Sequence, residues 1–152
     1  MKAKKLPNFD LLNKLFAYDK ETGVVTRKCS VSRNTKVGDV VGALSSTGYM
    51  KVTVQYKSYP LSRVIFKLVT GDDPKGEMDH INRDRTDNRF SNLRDVSSQV
   101  NQLNRSGKGY TVIKNGRYRA TLHGKDIGYF NCPTAATVAY LKTKETYIAG
   151  IK

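Results

Sequence analysis

The sequence predicts an α+β protein built from short helices and small antiparallel sheets. Two stretches carry that expectation. From Gly48, the residues Met50, Val52, Val54 and Tyr56 alternate with Tyr49, Lys51, Thr53 and Gln55, the period of a half-buried strand; Leu61, Val64, Ile65 and Leu68 then recur at helical spacing and stop at Gly71. Beyond residue 108, three β-prone runs divided by Asn115-Gly116 and Gly124 lead into a helix opening near Pro133. Between these stretches lies a polar, asparagine-rich segment, Met78 to Asn104, that fits neither pattern.

The elements follow in order. Asn8 is placed to cap a short helix whose apolar residues Leu11, Leu12, Leu15 and Phe16 share one side. Glu21-Thr22-Gly23 reads as a turn between Tyr18 and a Val24-Val25-Thr26 strand. Residues 27–36 are polar and read as an exposed loop. In the helix that ends at Gly71, Arg63 and Lys67 lie off the apolar stripe and are expected free to meet solvent or a ligand. Met78 to Ile81 reads as a strand, residues 82–88 as a loop, Leu93 as the anchor of a returning strand, and Ser97 or Ser98 as the cap of a helix over 99–103. In the last third, Gly109 to Ile113, Arg117 to Leu122 and Ile127 to Phe130 read as three strands. The helix after them presents a small-residue face of Ala135, Ala136, Ala139 and Tyr140.

Composition narrows the function. The net charge is +14, too basic for a typical metabolic enzyme and suited to a polyanionic partner, of which nucleic acid is the commonest. A merely basic soluble protein is the plainer reading of charge alone. No apolar run approaches the ~20 residues of a spanning helix, and the basic start MKAKKLPN lacks the apolar core of a signal peptide. The expectation is a cytoplasmic protein with no membrane partner. Cys29 and Cys132 are too few and too distant for a zinc knuckle, so no zinc site is expected; both read as free, semi-buried thiols. The charge is also unevenly placed. Residues 1–78 carry 14 Lys and Arg against 7 Asp and Glu, residues 102–152 carry 9 against 2, and residues 79–101 carry 4 against 4. Two basic flanks around a neutral, carboxylate-bearing centre suit ends that grip phosphates and a middle that holds a cation.

That centre holds Asp79-His80, then Asp87-Asn88-Arg89, then Asn92-Leu93-Arg94, then Asn101. A metal-dependent phosphodiesterase needs such groups: a carboxylate for a hard cation, an imidazole to take a proton from water, and amides that brace the loop or complete the metal shell. Singly, each residue reads as an Asx-turn former or a packed strand residue; the spaced set is what points to chemistry. Arg83, Arg85, Arg89 and Arg94 read equally as phosphate contacts or as partners of Asp84, Asp87 and Asp95.

The segment MDHINRDRTDNRFSNLRDVSSQVNQLN resembles the HNH homing-endonuclease motif of phage and intron enzymes, the ββα-metal finger. The stretch GYMKVTVQYKSYPLSRVIFKLVTG before it is similar to the region that precedes many phage HNH motifs, with Ser62-Arg63 where relatives commonly have His-Arg. The resemblance implies His80 as general base, and Asp79 and Asn101, 22 residues apart, as ligands of one divalent cation, Mg²⁺ or another such as Mn²⁺. It implies Asn92 as the middle asparagine that ties the loop, with Asn88 sharing the bracing. Two positions depart from the pattern: Arg83 replaces a usual glycine, and Asp95 a frequent aromatic residue. Tyr118-Arg119-Ala120, Gly128-Tyr129-Phe130 and the run Ala135 to Tyr140 resemble the AP2 DNA-binding module, which implies a sheet face reading bases through Lys114, Arg117, Arg119 and Lys125.

The expected architecture is therefore an N-terminal DNA-gripping region over 1–76, with Arg63 and Arg83 as further DNA contacts, an HNH ββα-metal motif over 77–105, and an AP2-like module over 106–152. The expected activity is phosphodiester hydrolysis in double-stranded DNA by a monomeric nicking or homing-type phage enzyme. A DNA-binding or regulatory protein that keeps this scaffold without cutting is the alternative.

Overall fold

A computed structural model describes residues 5–104 and 107–150. The chain divides into two compact units, one up to Asn104 and one beyond it. The expected boundary at 105/106 lies outside the described residues. None of the described helices is long and apolar enough to cross a membrane.

The first unit is a series of hairpins around one core. Asn8 caps α1 (Phe9–Leu15), its Oδ1 accepting from the Leu11 N–H at 3.0 Å. The chain runs straight on into β1 (Phe16–Tyr18), which pairs antiparallel with β2 (Val25–Arg27). The second sheet has the order β3 (Ala43–Leu44), β4 (Met50–Val54), β5 (Lys57–Pro60), and α2 (Leu61–Thr70) follows directly. Leu12, Phe16, Val25, Val52, Val54, Leu61, Val64 and Ile65 form the core, joined by Leu93 of the following hairpin. Site segment and N-terminal region thus share one apolar interior, and burial at that scale fixes the hairpin's position.

Three expectations change here. Tyr56 does not continue the inward face of β4. Val54 pairs with Lys57, so Gln55 and Tyr56 form a two-residue hairpin turn, both at positive φ (48° and 63°), and Tyr56 points fully into solvent. Lys67 is not free: it is buried, and its Nζ meets Asp73 Oδ1 at 2.7 Å, because the chain doubles back after the left-handed Gly71. Arg63 is half-buried and donates to the carbonyls of Pro74 (3.3 Å) and Gly76 (3.1 Å), holding the segment that enters the next hairpin.

That hairpin pairs β6 (Glu77–His80) with β7 (Leu93–Val96), preceded by a 3₁₀ turn over Phe90–Asn92 and followed by α3 (Ser98–Leu103). Ser97 caps α3 through the Val100 N–H. Asp95 accepts from the backbone N–H groups of Lys75 and Gly76, each at 2.7 Å, so its carboxylate clamps the entry of β6.

The second unit is a three-stranded antiparallel sheet, β8 (Tyr110–Val112), β9 (Tyr118–Leu122) and β10 (Lys125–Phe130), with β9 central, followed by α4 (Pro133–Ala149). Ala120, Leu122 and Ala136 are buried, while Arg119 and Thr121 alternate to the opposite face of β9. Gly109 sits directly under the Tyr140 ring; any Cβ there would overlap it at 2.1 Å. Cys29 is half-buried as expected. Cys132 is instead exposed, because it caps α4 through Sγ and the Ala135 N–H.

Candidate active site

His80 and Asp79 end β6, and both are buried at 4% and 6% exposure. Burying an imidazole and a carboxylate side by side costs free energy unless each is hydrogen-bonded, and here each is. His80 Nε2 lies 3.3 Å from Asn88 Oδ1, while Asn88 Nδ2 donates to the Thr86 carbonyl at 3.1 Å. The second contact orients the amide oxygen-first towards the ring. An amide oxygen can only accept, so this contact calls for the proton on Nε2, and the neutral tautomer that makes it has its lone pair on Nδ1.

Asp79 is held at both oxygens. Its cross-strand partner Arg94 places Nε and Nη2 on Oδ2, at 2.8 and 2.7 Å. Asn104 Nδ2 donates to Oδ1 at 2.9 Å and also to the His80 carbonyl at 2.8 Å. Oδ2 is saturated by the guanidinium, whereas Oδ1 retains a lone pair.

The loop between β6 and β7 is pinned by Asn92. Its Oδ1 accepts from the Asn82 N–H (2.9 Å), and its Nδ2 donates to Asn82 Oδ1 (3.0 Å) and the Asp87 carbonyl (2.8 Å). Its side chain reaches the loop backbone and not His80 itself. Asp87 takes a fork from Arg89 (2.8 and 2.6 Å) and a bond from Asn82. The Arg89 hydrogen bonds hold its carboxyl down to about 2 from the usual 3.8, with the Asn82 contact adding to them. Asp84 folds onto Thr86, whose hydroxyl and N–H hold its carboxyl below the usual carboxylate range in the same sense.

The rest of the first unit backs this loop. Tyr18 donates its hydroxyl to the Asn88 carbonyl at 2.9 Å, and burial raises its phenol above 10.0, keeping it a donor. Gly23 (φ 75°) lies so close to Asn88 and Arg89 that a Cβ would fall 2.5 Å from the Arg89 nitrogen. From the β3–β4 turn, Thr47 accepts from Arg85 Nη1 at 2.7 Å, the Arg85 guanidinium stacks 4.6 Å over Tyr49, and the Tyr49 ring lies 6.0 Å from His80.

The expected residues therefore separate. Asp79, His80, Asn88 and Asn92 are gathered within one hydrogen-bonded framework. Asn101 is tied to a different carboxylate of β6: its Nδ2 donates to Glu77 Oε2 at 2.5 Å, a bond in which its Oδ1 takes no part. Of the four arginines, Arg89 takes an expected partner, Asp87; Arg94 pairs instead with Asp79, Arg85 reaches the Thr47 carbonyl and the Tyr49 ring, and Arg83 is exposed at a positive φ of 66°. In the second unit Arg119 Nε pairs with Asp126 (2.6 Å), Arg117 approaches the Tyr129 ring (5.9 Å), and Lys114 and Lys125 are exposed. Asn104, Tyr49 and Tyr18 were not singled out as site residues from sequence, and Arg94 was read as a phosphate contact or the partner of other aspartates. Strand register would have paired Arg94 with Asp79, and helical spacing would have placed Asn104 on the side of Asn101.

A two-stranded hairpin closed by a short helix, with a buried imidazole and carboxylate at the end of its first strand, defines the class of ββα hairpin sites. Residues 59–103 match the family described as HNH endonuclease. The match supports a nuclease of the HNH type, a family that acts on DNA and generally uses a divalent metal ion. No curated protein and no solved structure matches the chain.

The donors present fit such an ion. Asp79 Oδ1 and Asn101 Oδ1 are hard oxygen ligands of the kind Mg²⁺ and Mn²⁺ prefer, and Mg²⁺ in particular keeps several waters beside few protein ligands.

Proposed function

We propose that this protein is a metal-dependent DNA endonuclease in which His80 is the general base and Asp79 and Asn101 hold one divalent cation, Mg²⁺ or Mn²⁺. The observation that carries the proposal is the buried Asp79–His80 pair on β6, with His80 Nε2 3.3 Å from an Asn88 Oδ1 that can only accept. In the proposed reaction His80 Nδ1 accepts a proton from the attacking water. Asn88 holds the ring at its other nitrogen throughout, and Asn92 keeps the loop from shifting under it. Arg94 and Asn104 hold the Asp79 carboxylate ready to bind. When bound, the cation would supply positive charge to the scissile phosphate and the departing oxygen.

The second unit is proposed as an AP2-like reader. On the face opposite the buried Ala120 and Leu122, register places Thr111, Arg119 and Tyr129 in one row across the three strands. Asp126 takes Arg119 Nε, so the remaining guanidinium edge is the one offered to a guanine in the major groove. Arg117, Lys114 and Lys125 supply charge around it, and Arg83 contributes a phosphate contact beside the site. The basic flanks grip the duplex.

Supercoiled plasmid incubated with Mg²⁺ or with EDTA tests the reading. Nicked or linear product with Mg²⁺ alone is expected. DNA bound but left intact under both conditions would replace the nuclease with a non-cutting regulator.

A further inference from the structure

Asn104 is the first residue past α3, and its side chain spans two consecutive residues of β6. One amide nitrogen donates to Asp79 Oδ1 at 2.9 Å and to the His80 carbonyl at 2.8 Å. A primary amide has two N–H bonds in one rigid plane, so both donors are committed and their angle is set. Its own backbone is held as well, its N–H bonding to the carbonyls of Val100 and Asn101. The end of α3 is thereby tied to the strand that carries the proposed ligand and base.

The contact acts on three things at once. It complements Arg94, which holds the other carboxylate oxygen, so Asp79 is fixed at both ends and does not rotate about its last bond. It leaves Oδ1 with one lone pair at a defined angle. It also orients the peptide after His80, whose carbonyl accepts from the Arg83 N–H at 2.9 Å and so starts the loop. Asn101, one turn earlier on α3, does none of this because its amide reaches Glu77. Asn104 lies one residue beyond the segment that matches the HNH family.

We propose that Asn104 is the positioning residue of the Asp79–His80 pair. It touches neither cation nor DNA. It sets the direction in which Asp79 presents its free lone pair and anchors the backbone from which the imidazole hangs. The inference rests on the nuclease reading of the site. Partners that orient first ligands commonly change metal affinity or activity ~10- to 100-fold when removed, and the same scale is expected here.

The test uses the full chain and Mn²⁺ as the probe. Asn104→Leu keeps the volume and removes the donors; Asn104→Gln keeps the donors on a longer stem. Mn²⁺ affinity is read by electron paramagnetic resonance without DNA, duplex binding by gel shift in EDTA, and cutting by plasmid nicking at saturating Mn²⁺. The Leu protein is expected to bind duplex as wild type does, to bind Mn²⁺ about 10-fold more weakly and to cut at least ~10-fold more slowly. The Gln protein should recover part of both losses. Wild-type Mn²⁺ affinity and cutting in the Leu protein would overturn the proposal, as would equal losses in Leu and Gln. Should the Leu protein fail to fold by circular dichroism, Asn104→Asp decides, since it keeps the shape and turns an acceptor towards Asp79 and the His80 carbonyl. Loss of cutting in that protein supports the proposal, and a wild-type rate overturns it. A wild-type chain that neither binds Mn²⁺ nor cuts overturns the nuclease reading and this inference together, whereas a cutting wild type with an indifferent Asn104 overturns this inference alone.

Discussion

Asn88 Oδ1 accepts from His80 Nε2 at 3.3 Å, and the Asn88 amide is itself locked by the Thr86 carbonyl. The pair sets which imidazole nitrogen keeps its proton. A base on Nδ1 then requires Asn88 as an acceptor and not merely as a loop former.

His80→Ala should lower cleavage by ~10²-fold or more, the scale of a lost general base, while leaving duplex binding in EDTA intact. Asn88→Ala should lower cleavage less than His80→Ala does, because the ring remains but loses its orientation. Plasmid nicking and gel shift together check both. A cleavage rate unchanged by His80→Ala would remove this site from the mechanism.

Arg83 should separate stability from function. It stands at φ 66° in an exposed turn, a conformation that costs a side-chain-bearing residue about 1–2 kcal/mol relative to one that adopts it freely. Arg83→Gly should therefore raise Tm by a few degrees and weaken duplex binding, since a phosphate contact is lost. Thermal melts and gel shifts measure the two effects. A fall in both quantities would mean that the arginine serves the fold and not the DNA.

Acid should loosen the loop through Asp87. Its carboxyl is depressed to about 2 from 3.8, chiefly by the Arg89 hydrogen bonds. A depressed carboxyl contributes stability that is complete above its unfolded value and is lost as pH falls towards its folded one. The Asp87 contribution should thus be intact above pH ~4 and fade between there and pH ~2. Melting temperature against pH should fall less steeply across that window in Asp87→Asn than in wild type. Parallel curves would assign the acid sensitivity elsewhere.

Arg119 carries the prediction for the second unit. If its guanidinium reads a guanine, Arg119→Ala should cost about 1–3 kcal/mol of discrimination at one or two base pairs while sparing the hydrolytic site. A cleavage map on long natural DNA compares the variant with wild type. Identical cut sites and affinities would make the β8–β10 sheet a stabilising element and place specificity in the first unit.

Much of the local structure was legible in the sequence because local physics produces it. Asn8 and Ser97 cap helices, Gly71 ends α2, and the alternation through Val54 makes a strand, all from interactions within a few residues. The spacing of Asp79, His80, Asn92 and Asn101 was likewise legible, and with it the kind of chemistry to look for. The contacts that arm the site were not. Arg94 meets Asp79 because β6 and β7 pair in one register, and Tyr49 approaches His80 because a separate hairpin packs against the motif loop. Lys67, which its helical position placed in solvent, is buried against Asp73 by the turn after Gly71. Asn101 and Asn104 have the same chemistry, and only the placement of α3 against β6 gives one to Glu77 and the other to Asp79. Residue type and spacing determined which groups are present; strand register and helix docking, which depend on the whole core, decided which of them meet.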